Sequence, residues 1–176
     1  MGKKLKNDKY FLDLAYKEAE KAYKKGEVPV GAVVVCNGKV ISKAHNLRQT
    51  KKNPLYHAEI LAIQKASKKL KSWRLDDCIL YITLEPCLMC AGVIMQSRIK
   101  KVIFSAEDKK AGVVLNNFKV FDEKNLPFKI EYSFISDEKA INILKNFFKE
   151  KRNEKNNNID NDINTIFYTS KRDKKS

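Results

Sequence analysis

The sequence predicts an α/β domain in which helices cover a sheet. Three observations predict it. Helical and strand-like apolar patterns succeed one another in the order α-β-β-α-β-α-β-loop-β-α. Asn37-Gly38 stands between two apolar runs, the strongest short signal for an antiparallel hairpin. The chain has 176 residues and 43% hydrophobic content, enough to enclose a real core and the size of one domain. That domain is expected over residues 1–153, followed by an Asn/Lys-rich, flexible tail over 154–176.

Each element has its own justification. Residues 9–25 place Leu12, Ala15, Ala19 and Ala22 at helical spacing, and Gly26 stops the run. Residues 28–35 read as a strand with Pro29 near its start, and the Asn-Gly turn pairs 31–36 with 39–45. Residues 46–56 form a polar loop, and 57–70 a helix with Ile60, Leu61, Ile63 and Ala66 on its apolar side. A β-rich run covers 78–83, and Pro86 opens a helix that continues to about 96. Residues 101–105 are a short strand, 106–127 lack periodicity, 128–134 alternate like a strand, and 137–151 form a last helix with Ile141, Leu144, Phe147 and Phe148 apolar.

Composition excludes several classes. No run of about 18 apolar residues could cross a membrane, and the N-terminus is basic and amphipathic rather than an apolar signal core, so a cytoplasmic location is expected. The net charge is +15. Four lysines against one aspartate in residues 1–9, and seven basic against four acidic residues in 151–176, leave +9 on residues 10–150. A basic folded surface suggests a polyanionic partner, nucleic acid before membrane, although a codon bias toward Lys and Asn is a sufficient rival cause.

The chemistry gathers at two helix starts. Cys87 and Cys90 form a C-x-x-C directly after Pro86, which places both in the first helical turn, three apart and on one face. Thiolates there are favoured by unpaired N–H groups and the helix dipole. His57-Ala58-Glu59 opens another helix; positions two apart do not share a face, so a site using both side chains lies beyond that helix end. His57, Cys87 and Cys90 make three ligands, the number of a catalytic zinc site with one open position. A closed structural site needs a fourth, from His45, Cys36 or Cys78. Cys36 and Cys78 fall in strands, where a thiol is ordinarily a small buried residue, and a redox role for the C-x-x-C leaves His57 and Glu59 unexplained. Glu59 is either a dipole-stabilised first-turn carboxylate or a proton carrier, since a metal lowers the pKa of water and a nearby carboxylate can take its proton.

The pattern H-x-E…P-C-x-x-C resembles the zinc nucleobase deaminases. The stretches Glu27–Val35, His57-Ala58-Glu59-Ile60, Trp73-Arg74-Leu75, Leu80–Gly92, and Ser97-Arg98-Ile99 leading into Val102-Ile103-Phe104 are similar to bacterial tRNA-specific adenosine deaminases, over roughly residues 8–152. The resemblance implies a cytidine deaminase-like, three-layer α/β/α sandwich with a central mixed five-stranded sheet. It implies a homodimer and one Zn2+ per subunit, held by His57, Cys87 and Cys90. It implies conversion of the wobble adenosine of a tRNA anticodon stem-loop, chiefly of an arginine tRNA, to inosine. Glu59 would be the proton shuttle. Asn46 would hydrogen-bond the flipped base, and Val30, Ala58 and Leu84 would line its pocket. Phe147, Phe148 and Arg152 on the last helix would meet the anticodon loop, where stacking and phosphate contacts suit a splayed single strand. Two places depart from the family pattern: 111–117 reads Ala-Gly-Val-Val-Leu-Asn-Asn rather than Ala-Gly-Ala-Ala-Gly-Ser-Leu, and Tyr56 replaces a small residue. The rivals are a free-base deaminase for guanine or cytosine, which needs no basic last helix, and a non-catalytic RNA-binding zinc module, which needs neither Glu59 nor an open metal position.

Overall fold

A computed structural model describes residues 7–172, with side chains through Lys155. The elements in chain order are α1 (Asp8–Lys24), β1 (Gly31–Cys36), β2 (Lys39–His45), α2 (Ala58–Leu70), β3 (Cys78–Ile82), α3 (Leu88–Gln96), β4 (Lys101–Phe104), β5 (Glu131–Phe134) and α4 (Glu138–Arg172), with a 3-10 turn at Val120–Asp122 before β5. The strands form one mixed sheet in the order β2-β1-β3-β4-β5. β1 runs antiparallel to β2 and β3, whereas β3, β4 and β5 are mutually parallel.

The hairpin turns where Asn-Gly predicts: Asn37 and Gly38 have φ 48 and 71, both positive, as a two-residue turn matched to strand twist requires. β1 begins at Gly31, three residues later than its apolar pattern, because Pro29 cannot join a central ladder and the Val30 N–H turns back to the Val28 carbonyl at 2.8 Å.

Strand alternation sorts the core into two layers. Ala32, Val34, Leu80, Ile82, Val102 and Phe104 face α2 and α3 in the larger cluster. Val33, Val35, Tyr81 and Ile103 face Phe11, Leu12 and Ala15 of α1. Both faces of β1 and β3 are therefore covered, which gives the continuous apolar runs of a buried sheet and the three-layer α/β/α arrangement. α1 lies very close to the sheet at Gly31, where a Cβ would collide with the Ala15 carbonyl oxygen and stand 2.6 Å from the Ala19 nitrogen. α4 docks on α1 through Phe147 against Tyr23, ring centroids 6.1 Å apart, and an ion pair of Lys139 with Asp13 at 3.1 Å.

The last helix differs from its sequence reading. Its backbone stays helical to Arg172 rather than ending near 151. Asn and Lys are poor core formers but do not break a helix, so a boundary read from composition does not mark a helix end. Within the expected tail, the side chains of 156–172 and all of 173–176 lie outside the described residues, as does the basic start 1–6.

Candidate active site

Two helix N-termini meet at one end of the sheet. His57 is the N-cap of α2 and Cys87 the N-cap of α3, and neither side chain caps its own helix. Both are thereby free to face each other. Cys87 thus sits just outside the first turn that its spacing predicted; Pro86 starts the capping segment and Cys90 is the residue on the helix proper. His57 Nδ1 lies 3.8 Å from Cys87 Sγ and 3.5 Å from Cys90 Sγ. The three donor atoms lie within 4.8 Å of one another, the sole such group of metal-capable side chains among the described residues.

These distances fit a tetrahedral ion. With Zn–S about 2.3 Å and Zn–N about 2.0–2.1 Å, a tetrahedral angle puts N and S about 3.6 Å apart. The charges fit as well. Hydrogen bonds from Cys90 and His57 outweigh burial and bring the Cys87 thiol down to about 4. The Cys87 thiolate and burial push the Cys90 thiol far up, so the pair on its own carries one negative charge and both ionise only with a cation between them. The hydrogen bond to Cys87 raises His57. Glu59, on the first turn of α2, is buried, and burial pushes its carboxyl up. A carboxyl raised in this way holds a proton more readily than an exposed one, which suits a group that both takes and gives one.

Beside the ligands opens a cavity of about 1020 Å3. Val30, Asn46, Ala58 and Leu84 line it with His57, Glu59 and Cys87. Asn46 is buried and held by Val28 O at 3.4 Å through Nδ2 and by Arg48 N at 3.4 Å through Oδ1. α4 contributes Ile141, Leu144, Lys145, Phe148 and Arg152 to the lining.

The profile of the MafB19-like deaminases matches residues 6–152. The tRNA-specific adenosine deaminase of Aquifex aeolicus is 49% identical over 144 residues, covering 82% of this chain and 95% of the relative. The chain belongs to the tRNA-specific adenosine deaminase family. The Bacillus subtilis family member is 44% identical over 149 residues, covering 84% and 92% of the two chains. A solved structure from work on A-to-I editing by tRNA:A34 deaminases superposes with TM-score 0.74 at 34% identity, covering 77% of this chain and 99% of that one. The guanine deaminase of Bacillus subtilis superposes at TM-score 0.58 and 33% identity, covering 84% and 95%. The cytidine deaminase-like fold expected from the resemblance is the fold observed.

The structure brings most family-implied positions to the lining of this cavity and leaves out two, the buried ligand Cys90 behind it and Phe147. Phe147 is buried against Tyr23, whereas its neighbour Phe148 is 45% exposed and lines the cavity with Arg152. His45 is held by Glu18 at 2.9 Å and Lys25 at 3.0 Å, away from the ligand set. Cys36 and Cys78 pair across β1 and β3 as free thiols at a different part of the sheet from Cys87 and Cys90. The two departures from the family pattern also find places: Val113 and Val114 are buried in the main core, and the Tyr56 backbone closes the 46–56 loop by accepting from Leu47 N at 3.0 Å.

Sequence reasoning missed two groups. Arg48, Lys109, Lys110 and Lys145 add four cations to the cavity wall; single basic residues in a chain this rich in lysine carry no signal of their own. Glu27 and Glu85, both buried, each hold a loop beside the cavity. Glu27 accepts from the N–H groups of Gln49 at 3.1 Å and Thr50 at 2.6 Å. Glu85 stands two residues before a ligand, the one cue that could have drawn attention to it.

Proposed function

We propose that this chain catalyses the hydrolytic deamination of adenosine 34, the wobble base, to inosine in a tRNA anticodon loop, chiefly of an arginine tRNA, with one Zn2+ per subunit, as a cytoplasmic homodimer. The observation that carries the reading is a buried carboxyl, Glu59, beside a His-Cys-Cys ligand set at the base of a cavity whose outer wall is aromatic and basic.

His57, Cys87 and Cys90 would hold the zinc. When bound, zinc makes water acidic enough to act as a nucleophile near neutral pH. The chain's own residues do the rest. Val30, Ala58 and Leu84 present an apolar slot for a purine, and Asn46, fixed by its two backbone partners, offers the polar edge that orients it. Glu59 takes a proton from water as the oxygen adds to C6 and delivers it to N1. It then carries the second proton to the departing amine, so that water and adenosine become inosine and ammonia. Burial keeps bulk water from Glu59 and raises its pKa, which suits a group that alternates between acid and base.

The size and lining of the cavity support the RNA reading over a free base. A volume of about 1020 Å3 exceeds the need of a free base, since cavities of roughly 300–1,000 Å3 already hold drug-sized ligands. Phe148 offers a stacking face, and Arg48, Lys145 and Arg152 offer phosphate partners, which a neutral free base does not use. The likeness to guanine deaminase favours free guanine as the second reading. A homodimer is supported by α3, which has no charged residue, and by exposed Leu88 and Trp73 on one shallow groove with Ile63, Met89 and Val93.

Glu59→Ala tests the reading. The variant should keep its metal and lose inosine formation by at least about 100-fold, the scale of a lost general acid–base. Comparable turnover by a metallated Glu59→Ala protein would overturn the mechanism.

A further inference from the structure

Residues 106–117 connect β4 to the 3-10 turn without regular structure, yet one buried side chain collects five of the segment's hydrogen bonds. Glu85 is 2% exposed, and all of its side-chain partners come from this segment. Its Oε1 accepts the N–H groups of Val114 at 2.9 Å, Leu115 at 2.8 Å and Asn116 at 3.0 Å. Its Oε2 accepts from Asp108 N at 3.0 Å and from Asn116 Nδ2 at 2.7 Å. The Glu85 N–H in turn donates to the Ala106 carbonyl at 2.8 Å, and Val113 N–H donates to the Pro86 carbonyl at 3.1 Å. Cys87 and Gly112 then pair as an isolated antiparallel bridge. Gly112 is required there, because a Cβ would strike the Glu85 carboxylate and stand 2.5 Å from the Asp108 carbonyl.

The same segment borders the cavity: Glu107, Asp108, Lys109, Lys110 and Ala111 line it together with His57 and Cys87. Residues 85–87 therefore do two things within three positions. Cys87 turns to the metal site, and Glu85, which also borders the cavity, holds the loop. A carboxylate suits this task as no amide does, since both oxygens accept and five donors converge on them. A glutamine would aim an NH2 group at one set of donors. Val113 and Val114, buried in the core, keep the far end of the loop in place without Glu85.

We propose that Glu85 is a positioning residue that holds segment 106–111 against the nucleotides flanking the reacting base, so that it sets how tightly the enzyme grips RNA while leaving the chemical step alone. This rests on the reading of the substrate as an anticodon loop. The loop carries Lys109 and Lys110 on the wall of the cavity, Asp108 Oδ1 ties the loop internally by accepting from Lys110 N and Ala111 N at 3.0 Å, and Glu85 is the side chain that fastens both ends of this unit to the metal-site strand end.

The test uses the full-length, zinc-loaded protein and an anticodon stem-loop with a wobble adenosine. Glu85→Gln should raise KM about tenfold or more, with kcat within about twofold of wild type and metal content unchanged. Asn116→Ala, which removes one donor and spares the carboxylate, should raise KM by a smaller factor, about threefold. Amide hydrogen exchange over 106–112 should accelerate at least about tenfold in Glu85→Gln, with 88–96 unchanged. Metal lost in step with activity, a defect confined to kcat, or unchanged exchange and KM would each overturn the proposal. Should Glu85→Gln fail to fold, Asn116→Ala decides by the same criteria. The exchange arm needs no substrate, so absent turnover by wild type would fault the substrate reading while faster exchange would still support the anchoring of the loop.

Discussion

Gly31→Ala probes the closest approach between two layers of the fold. A Cβ at this position would collide with the Ala15 carbonyl and stand 2.6 Å from the Ala19 nitrogen and 2.8 Å from Glu18 Cβ, where ordinary contact begins near 3.4 Å. Two of these three neighbours are helix backbone, which no rotamer change relieves. α1 would have to retreat by about 0.8 Å or more, loosening Phe11, Leu12, Ala15 and Ala19 from the sheet. Overpacking of this kind costs typically about 1–3 kcal/mol, and for a chain of this size each kcal/mol shifts Tm by about 2–4 °C. A loss of about 2–12 °C is therefore expected. The effect should reach the site as well. Gly31 N–H donates to Thr83 Oγ1 at 3.1 Å, Val30 beside it lines the cavity, and α1 carries Tyr23 and Asp13, on which α4 docks. Thermal unfolding followed by circular dichroism, with KM for a stem-loop measured below the transition, checks both parts. A Tm within about 1 °C of wild type would refute the contact geometry of α1 on β1.

Three further outcomes are expected. Cys87→Ala should lose its metal, as read by metal analysis of the purified protein; a fully metallated variant would remove Cys87 from the ligand set. Arg152→Ala should weaken stem-loop binding and lower the slope of log affinity against log salt by about one, while Phe148→Ala should weaken binding with the slope unchanged, because stacking releases no counterions. Stability should fall in acid. Burial raises Glu18, Glu27 and Glu85, but hydrogen bonds outweigh it and hold each below its ordinary value of 4.5. A depressed carboxyl contributes stability that is present above about pH 4.5 and disappears as pH drops through the folded value. The urea midpoint should therefore fall between about pH 5 and pH 3, and Glu85→Gln should flatten that fall.

Local signals in the sequence were enough wherever local chemistry decides the outcome. Asn37-Gly38 specifies both its hairpin and the strands it joins, because two positive φ values leave few alternatives. His57, Glu59, Cys87 and Cys90 were legible because ligand type and spacing at helix starts imply convergence at a sheet edge. What stayed hidden depends on contacts distant in sequence. The first half of the 106–127 stretch has no period because much of its hydrogen bonding goes to Glu85, 23 to 31 residues upstream of its donors. Phe147 and Phe148 are adjacent and chemically identical, and only the docking of α4 on Tyr23 sends the first inward and the second to the cavity. The +15 charge was ambiguous as a total and became informative once Arg48, Lys109, Lys110, Lys145 and Arg152 were found around one cavity.

The central claim is that this His-Cys-Cys site serves an RNA-borne adenine. Its most direct test is incubation of the zinc-loaded protein with an anticodon stem-loop bearing a wobble adenosine and, separately, with free guanine, cytosine and cytidine, followed by product analysis. Inosine from the stem-loop, with the three small substrates unchanged, is the result predicted. Xanthine from guanine, with the stem-loop left intact, would contradict the account.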